Sequence, residues 1–334
     1  MGHGSGGQMT HNLVKRIFLP RLGNPILNTG NDAAVIDNLK NTYPDWRLVF
    51  STDSHVVSPL FFPGGDIGRL SVCGTVNDVA MLGATPLYLT AGFILEEGLE
   101  ISLLEQVVDS MHTAADEAGV QIIAGDTKVV QKGKADGLYI TTSGFGILDY
   151  PGNISGANAQ PGDVVIVSGT LGDHGIAVLA ARGELGFSAN ITSDVAPLNH
   201  LVKEMLTISS GIHVLRDPTR GGLATTLNEI ANQSQVSIVL SEQTIPVKPV
   251  VASACEMLGF DPLYVANEGK LIAIVAEKDA SKIIEMMQRT QYGIEAAIIG
   301  EVKPSSSARV LLKTPYGSTR ILDTLSGEIL PRIC

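Results

Sequence analysis

The chain has 334 residues, of which 44% are hydrophobic and only 5% aromatic, and it contains 36 glycines. This composition provides enough apolar surface for two domains of ordinary size, and it favours a mixed α and β protein with many tight turns. A net charge of −11 without a dense Lys/Arg segment argues against a nucleic-acid binder, and no apolar run approaches the length of a membrane span.

The three cysteines, Cys73, Cys255 and Cys334, are widely separated. Because no CxxC pair occurs, the sequence predicts neither a zinc site nor a disulfide framework, and it favours a reducing, cytoplasmic setting. The first seven residues contain four glycines and no apolar segment, so they do not resemble a signal peptide. We expect residues 1–34 to form a flexible glycine-rich segment. Its residues 2–7 would form a lid that orders over phosphates, with a frayed end as the alternative.

A first domain is predicted over residues 35–150. Asp66 is a candidate N-cap for one of its helices, and Ser102 begins a capping-box pattern for the next. A buried strand is expected to break at Gly125. The predicted elements are strands at 47–54, 87–95, 120–124 and 139–148 and helices at 66–82 and 102–118.

A second domain is predicted over residues 151–312, followed by a mobile tail over 313–334 whose first residues, 313–320, form a loose linker. Neither domain shows strict βα alternation, so we expect α+β layers rather than a Rossmann sheet. The predicted elements of the second domain are strands at 163–169, 237–240, 271–276 and 297–302 and helices ending at 182 and spanning 198–206, 223–232 and 279–290.

Four aspartates lie at predicted element ends or in small polar surroundings, and each alone is more often a cap or turn residue. They are Asp32, Asp53, Asp78 and Asp126. Mg²⁺ prefers oxygen ligands and commonly uses a few carboxylates together with substrate phosphates. The four aspartates therefore predict a metal site that handles phosphate groups.

Two further segments suggest chemistry on anions. Arg216 and Arg220 flank a turn that leads into a helix N-terminus, where anions bind readily. Glu268 precedes a predicted strand and is a candidate base, although a solvated turn is the simpler alternative. No GxxxxGK[ST] motif occurs, so a P-loop is excluded.

Cys334 is the last residue of the chain and follows Pro331-Arg332-Ile333. A terminal thiol can enter a narrow pocket end-on and carry a small acyl group, whereas many chains end in an incidental residue. The neighbouring carboxylate opposes thiolate formation, and Arg332 partly offsets it. About twenty extended residues would span roughly 65 Å, which suits a swinging arm.

Several motifs together resemble the ATP-binding superfamily of aminoimidazole ribonucleotide synthetase, thiamine-monophosphate kinase and selenophosphate synthetase. Within it, they are most similar to the HypE family of hydrogenase maturation factors, and the resemblance covers the whole chain. The motifs are Gly30-Asn31-Asp32-Ala33-Ala34, Thr52-Asp53, Pro59-Leu60-Phe61-Phe62-Pro63-Gly64-Gly65-Asp66, the segment from Gly74-Thr75-Val76-Asn77-Asp78 to Pro86, Gly125-Asp126-Thr127-Lys128, Arg216-Asp217-Pro218-Thr219-Arg220-Gly221-Gly222, Asn267-Glu268-Gly269-Lys270 and Pro331-Arg332-Ile333-Cys334.

The resemblance implies an ATP- and Mg²⁺-dependent carbamoyl dehydratase. A carbamoyltransferase partner, HypF, would load carbamoyl onto Cys334, and Glu268 or Lys128 would relay the proton during dehydration to a thiocyanate. Cyanide would then pass to iron on a HypC–HypD complex. The implied ATP site comprises Asp32, Asp53, Asn77, Asp78, Asp126, Thr127, Arg216 and Asp217.

The resemblance also implies a two-domain aminoimidazole ribonucleotide synthetase-like fold. The first domains of a homodimer would form a shared β-barrel with ATP sites near the interface, and the second domain would be layered α/β. Two alternatives remain open at this point. A related ATP-dependent kinase or synthetase would not need Cys334, and a scaffold protein would bind its partner through the tail without ATP turnover.

Overall fold

The computed structural model describes residues 34–36, 46–183, 190–305 and 307–324, together with positions 8, 12 and 15. The helices and strands of the first domain are β1 (Ala34–Ile36), β2 (Arg47–His55), β3 (Phe61–Phe62), β4 (Gly65–Asp66), α1 (Ile67–Ala80), β5 (Thr85–Glu96), α2 (Ile101–Ala118), β6 (Gln121–Val130) and β7 (Leu138–Leu148). Among the described residues, no helix is long and apolar enough to cross a bilayer.

Five strands of the first domain form one sheet in the order β1-β2-β7-β5-β6. The β5–β6 pair is parallel and the other neighbours are antiparallel. Across the described ranges this sheet is open, with β1 and β6 at its edges. One chain alone therefore does not form a closed barrel within these ranges, and the barrel expected for the homodimer would need the sheets of two chains.

Helix α1 lies at the centre of the molecule, and its predicted start is confirmed. The Asp66 carboxylate accepts hydrogen bonds from the main-chain N–H groups of Gly68 at 2.7 Å and Arg69 at 3.2 Å, which satisfies two of the donors that a helix N-terminus leaves unpaired. Almost every side chain of α1 is buried, as expected for a helix enclosed by packed elements.

The predicted cap of helix α2 is wrong, although its span is close to the prediction. The helix begins at Ile101 after Glu100, and no side-chain cap hydrogen bond forms at that end, so Ser102 lies inside the helix. Its C-terminus is confirmed at Gly119, whose φ of 72° is left-handed and costs glycine little.

Strand β6 differs most from its prediction. Instead of breaking at Gly125, it continues to Val130, because pairing with β5 carries the main chain through Asp126. Residues 121–129 are exposed rather than buried, since β6 is an edge strand that has no neighbour on one side within the described residues. Ile123 and Val129 are 56% and 68% exposed.

The second domain contains a seven-stranded sheet in the order β14-β13-β10-β12-β8-β11-β9. Its elements are β8 (Val164–Val167), α3 (Asp173–Ala181), α4 (Asn199–Ile208), β9 (Ile212–Arg216), α5 (Gly222–Ser234), β10 (Ser237–Ser241), α6 (Pro249–Leu258), β11 (Ile272–Val275), α7 (Glu277–Met287), β12 (Ala297–Lys303), β13 (Arg309–Lys313) and β14 (Thr319–Ile321). Helix α6 was not predicted. Mixed helices and strands confirm the α+β class.

Part of the predicted loose linker at 313–320 is ordered secondary structure, so that prediction is wrong. Strand β14 pairs antiparallel with β13, with Lys313 opposite Thr319 and Leu311 opposite Ile321. Leu322 after the hairpin is fully buried in the core of the second domain. The burial of Leu322 and the strand pairing explain why the polar, turn-rich sequence of the hairpin is not a linker.

One apolar cluster joins the two domains. Cys73 and Val76 of α1 belong to the same buried cluster as Ile176 of α3 and Val251 of α6. This shared core fixes the ends of β2 and α1 against the loops of the second domain. The polar cavity described next lies along that boundary.

Candidate functional site

A cavity of about 240 Å³ lies between the two domains and is lined almost entirely by polar side chains. The first domain contributes the end of β2 and one side of α1, and the second contributes the loop after β9 and the turn before β11. The lining residues are Thr52, Asp53, Ser54, His55, Gly74, Asp78, Asp217, Thr219, Arg220 and Glu268.

The side chains of Asp53 and His55 lie in contact at the end of β2. Side chains two residues apart on a strand lie on the same face, and His55 Nε2 is 3.2 Å from Asp53 Oδ2. Burial raises the pKa of Asp53, but the charge and hydrogen bond of His55, with the charge of Arg220 and the Ser54 N–H, outweigh it and lower the pKa to about 2. Asp53 therefore stays ionised throughout the physiological range.

Helix α1 contributes Gly74 and Asp78, which are four residues apart and so lie on one helical face. A Cβ atom at Gly74 would lie 2.9 Å from His55 Nε2 and 3.5 Å from Asp53 Oδ2, so the absent side chain leaves room beside these two side chains. Ser51 Oγ donates a hydrogen bond of 2.6 Å to Asp78 Oδ2 and orients this carboxylate.

The loop after β9 brings Asp217 and Arg220 to the cavity. This loop leads into α5 through Gly222, whose φ is 61°. A Cβ atom there would lie 2.7 Å from the carbonyl oxygens of Leu263 and Val265, so only glycine permits so close an approach. The approach places the loop beside the turn that carries Glu268.

Glu268 is a buried carboxyl group, with only 5% of the residue exposed. Burial raises the pKa of Glu268 well above its usual value, and the negative charges of Asp53, Asp217 and Asp194 raise it further, whereas Arg220 opposes the shift. The carboxyl group therefore keeps its proton to a much higher pH than an exposed glutamate. A carboxyl group whose pKa is raised in this way is a candidate for general acid–base chemistry.

Replacing Glu268 by glutamine is expected to stabilise the fold increasingly as the pH rises. The folded-state pKa of Glu268 lies above the unfolded value, so its favourable contribution is complete below the unfolded pKa and is lost as the pH rises through the folded pKa. Glutamine cannot ionise and escapes this loss. Melting temperatures of wild type and Glu268→Gln, measured from about pH 5 to about pH 9, should diverge with the variant higher.

The matched control is Glu256→Gln, at an exposed position of α6. It should follow the wild-type melting curve at every pH. Parallel curves for wild type and Glu268→Gln would show that Glu268 is not held in its protonated form.

Asn77, a predicted ATP ligand, lies in a contact between the domains rather than in the cavity lining. Its Nδ2 donates to the carbonyl of Ala196 at 3.0 Å and more weakly to that of Glu268 at 3.4 Å, and its Oδ1 accepts from Leu198 N–H at 2.8 Å. The side chain is almost fully buried. These contacts give Asn77 a definite structural role.

Other predicted residues lie elsewhere in the protomer. Arg216 is buried and pairs with Glu229, with Nη2 2.8 Å from Oε2. Thr127 and Lys128 lie with Asp126 on the exposed edge strand β6, where Lys128 Nζ is 2.8 Å from Asp126 Oδ2. The hydrogen bond from Lys128, with that from Thr127 N–H and the Lys128 charge, lowers the pKa of Asp126.

Sheet register separates Asp126 from the cavity within one protomer. Asp126 pairs with Gly92, Gly92 with Thr141, and Thr141 with Ser54, so three strand spacings of about 4.8 Å, roughly 14 Å in all, lie between Asp126 and the cavity edge. Among the described residues, no group of three or more His, Cys, Asp or Glu side chains is close enough to hold a metal ion. Asp32 and Cys334 lie outside the described residues.

Arg220, predicted to lie beside an anion site, does line the cavity. His55 and Asp194, at or beside the cavity, were not predicted, although the Asp53-Ser54-His55 spacing indicated a shared strand face for His55. Asp194 carried no sequence signal, because it reaches Glu268 only through the packing of the two domains.

Comparison with known families matches both domains of the chain. Residues 30–148 match the N-terminal domain of AIR synthase related proteins, and residues 160–313 match the C-terminal domain of the same proteins. The two matches together cover most of the chain and divide it near the boundary between the two observed sheets.

Individual relatives match the chain over nearly its full length. It is 54% identical to the carbamoyl dehydratase HypE of Cupriavidus necator over 100% of this chain and 94% of the relative. A HypE in a HypE–HypF complex superposes with a TM-score of 0.88 at 50% identity, covering 94% of this chain and 99% of that one.

The hydrogenase maturation protein HypE in complex with ATP superposes with a TM-score of 0.84 at 50% identity, covering 99% of this chain and 98% of that one. Identity at this level over the full length far exceeds what a shared fold alone requires. The chain therefore belongs to the HypE family of carbamoyl dehydratases, the hydrogenase maturation proteins among the AIR synthase related proteins.

Proposed function

We propose that this protein uses ATP to dehydrate an S-carbamoyl group on its own Cys334 to an S-cyanate, which supplies the cyanide ligand for the iron of [NiFe] hydrogenase. Family membership gives the reaction class. The observation that carries the assignment to this site is Glu268, a buried carboxyl group with a raised pKa that lines the same polar cavity as Asp53 and Arg220.

The reaction has two steps. The amide oxygen of the thiocarbamate attacks the γ-phosphorus of ATP, the bond to ADP breaks, and one N–H proton leaves. The remaining N–H proton is then removed while the C–O bond breaks, which gives the S-cyanate and inorganic phosphate. Phosphorylation is needed because oxide is a poor leaving group and phosphate is a good one. We assign the proton transfers to Glu268 or Lys128.

ATP and Mg²⁺ fit the residues present. Asp53 and Asp78 offer the hard oxygen donors that Mg²⁺ prefers, and Asp53 is ionised at all relevant pH values. Arg220 and the start of α5 suit phosphate oxygens. When bound, Mg²⁺ would neutralise charge on the transferred phosphoryl group. Asp32, Asn77, Asp126, Thr127, Arg216 and Asp217 remain proposed members of the nucleotide site.

Two hydrogen bonds fix the base of the C-terminal segment in the second domain, one of them from Tyr264, four residues before Glu268. Tyr264 Oη donates to the carbonyl of Asp323 at 2.8 Å, and Asn228 Nδ2 donates to the carbonyl of Leu322 at 2.7 Å. The chain from position 324 to Cys334 is ten residues long and spans at most about 35 Å. This reach supports delivery of Cys334 to the cavity.

The other two cysteines are poor competitors for the carbamoyl group. Burial raises the pKa of Cys73 to about 12 and that of Cys255 to about 11, so neither forms a thiolate readily. We propose HypF as the carbamoyl donor, because a solved relative forms a HypE–HypF complex. A HypC–HypD complex as cyanide acceptor and a cytoplasmic location complete the proposal.

We further propose a homodimer in which the β6 edges of two copies meet and the two first-domain sheets close into one barrel. An exposed edge strand presents unpaired main-chain groups, and its exposed Ile123 and Val129 are costly to leave in water. This pairing would bring Asp126 and Lys128 to a boundary between protomers, and the ATP sites would lie near it.

Val129→Glu is expected to convert the dimer largely to monomer, because it places charges on both sides of the symmetric contact. Sedimentation velocity measures the change. Ile294→Glu is the control, since Ile294 is also 68% exposed but lies in the second domain. If Val129→Glu remains dimeric, or if Ile294→Glu dissociates equally, the β6 edge is not the interface.

The experiment that tests the proposed function follows the intact mass of the protein. The protein is incubated with HypF, carbamoyl phosphate and ATP, and with a parallel sample lacking ATP once the carbamoyl adduct has formed. We expect a carbamoyl adduct that loses the mass of one water only when ATP is present. An unmodified Cys334 under these conditions would contradict the assignment.

A further inference from the structure

Asp194 lies in the segment 190–198, here called the bridging segment, which has no helix or strand yet is packed between the two domains. The Asp194 side chain is only 2% exposed. Its Oδ1 accepts a hydrogen bond of 3.1 Å from the main-chain N–H of Glu268, and its Oδ2 lies 3.6 Å from Lys270 Nζ. The buried Asp194 carboxylate therefore contacts the turn at two places, at Glu268, the proposed base, and at Lys270.

The main chain of Glu268 is held from both sides. Asp194 binds its N–H, and Asn77 Nδ2 lies 3.4 Å from its carbonyl oxygen. The contact is also close, because a Cβ atom at Gly269 would lie 1.7 Å from the Asp194 carbonyl oxygen. Only glycine lets the turn approach the bridging segment in this way.

The bridging segment is hydrogen-bonded to the first domain on each side of Asp194. Ser193 N–H donates to the Pro63 carbonyl at 2.7 Å, and Arg69 Nε donates to the Val195 carbonyl at 3.0 Å. Pro63 lies in the loop before α1, and Arg69 lies in the first turn of α1, the helix that carries Asp78 near its other end. The position of Asp194 is therefore set by the first domain, although the group it holds belongs to the second.

We infer that Asp194 is a positioning residue, which fixes the main chain of Glu268 relative to the Asp53 and Asp78 side of the cavity. This inference rests on the proposed function for the role of Glu268, but not for the contact itself. Because catalytic geometry tolerates little displacement, loss of this contact is expected to slow dehydration without weakening nucleotide binding equally.

Asp194 also acts on the ionisation of Glu268. Its negative charge raises the pKa of Glu268, after the larger effects of burial, Asp53 and Asp217. Removing that charge should lower the pKa. The other titratable or charged groups around this carboxyl group are Asp53 and His55 of β2, Cys73 and Asp78 of α1, Asp217 and Arg220 of the loop after β9, and Lys270 of the same turn.

Two substitutions distinguish the effect of the Asp194 hydrogen bond from the effect of its negative charge. Asp194→Asn keeps an oxygen that can accept from Glu268 N–H but removes the charge, whereas Asp194→Ala removes both. The matched control is Asp163→Asn, because the Asp163 side chain is also nearly buried, accepts from Gln160 N–H at 2.8 Å and lies 2.8 Å from His213 Nδ1, yet Asp163 is not part of the cavity lining.

The first measurement is dehydration of the carbamoylated protein at saturating ATP. We expect Asp194→Ala to lower kcat about tenfold to hundredfold with KM for ATP unchanged. Asp194→Asn should lower kcat less and shift the acid side of the pH profile to lower pH. Asp163→Asn should affect thermal stability alone. Equal loss of folded protein in all three variants, with normal turnover per folded molecule, would overturn the inference.

The second measurement needs no turnover. The carboxyl stretch of Glu268 is identified in pH-difference infrared spectra by its absence from Glu268→Gln, and its titration midpoint is compared between wild type and Asp194→Asn. A midpoint at lower pH in the variant supports the contact even if the wild type fails to dehydrate thiocarbamate, which would refute the proposed function alone. An unchanged midpoint together with an unchanged kcat would refute the role of Asp194.

Discussion

Cys334→Ala is expected to accept no carbamoyl group and to release no cyanide equivalent, while it still binds ATP. The loss should be complete rather than partial, because the thiol is the covalent carrier. Burial holds Cys73 and Cys255 in the protonated form, with pKa values raised to about 12 and about 11, so neither can substitute for it. Intact-mass measurement with HypF, carbamoyl phosphate and ATP gives the result directly.

Cys255→Ser provides the control, since it also removes a thiol but should retain the adduct. A related kinase or synthetase would behave differently, because its ATP-dependent reaction would survive loss of Cys334. Persistence of a carbamoyl adduct on Cys334→Ala would place the carrier elsewhere in the chain.

Glu268→Gln is expected to stall the protein at the carbamoyl stage. Glutamine is nearly isosteric with glutamate, so loading and ATP binding should continue, whereas proton transfer should not. Loss of a general acid–base group commonly costs about 10²- to 10⁴-fold in rate, and we expect dehydration to fall within that range. Single-turnover mass measurement should show the carbamoyl adduct accumulating as its dehydrated product disappears.

The pH profile adds a second criterion. Because Glu268 must lose its proton to act as a base, and burial with the charges of Asp53, Asp217 and Asp194 raises its pKa, the wild-type rate should rise with pH until that pKa is passed. Glu256→Gln should leave this profile unchanged. Normal cyanation by Glu268→Gln would remove Glu268 from the mechanism and leave Lys128 as the candidate.

Helix boundaries that depend only on neighbouring residues in the chain could be predicted from the sequence. The start of α1 was predicted at Asp66, because an N-cap depends only on the following N–H groups. Gly119 likewise ended α2 as predicted. The capping box at Ser102 failed because the helix begins before that residue, and the β13–β14 hairpin was missed because its order comes from pairing and from buried Leu322.

The candidate site could be predicted only in part, because it is assembled across two domains. Asp53, near the end of a predicted strand, and Asp78, on a predicted helix, could be chosen as site residues from the sequence. The structure brings both to one cavity with Glu268. The register of β6 could not be read from the sequence, so the separation of Asp126 was not foreseen. Asp194 lies 74 residues before Glu268 in the chain and meets it only by packing.

The central claim is that ATP phosphorylates the amide oxygen of the Cys334 thiocarbamate, and isotope transfer tests it most directly. Protein carrying ¹⁸O in the carbamoyl oxygen is mixed with unlabelled ATP, and the released phosphate is analysed by mass spectrometry after a single turnover. We predict that the label appears in inorganic phosphate as the S-cyanate forms. Unlabelled phosphate, with the ¹⁸O recovered in water or retained on the protein, would contradict the account.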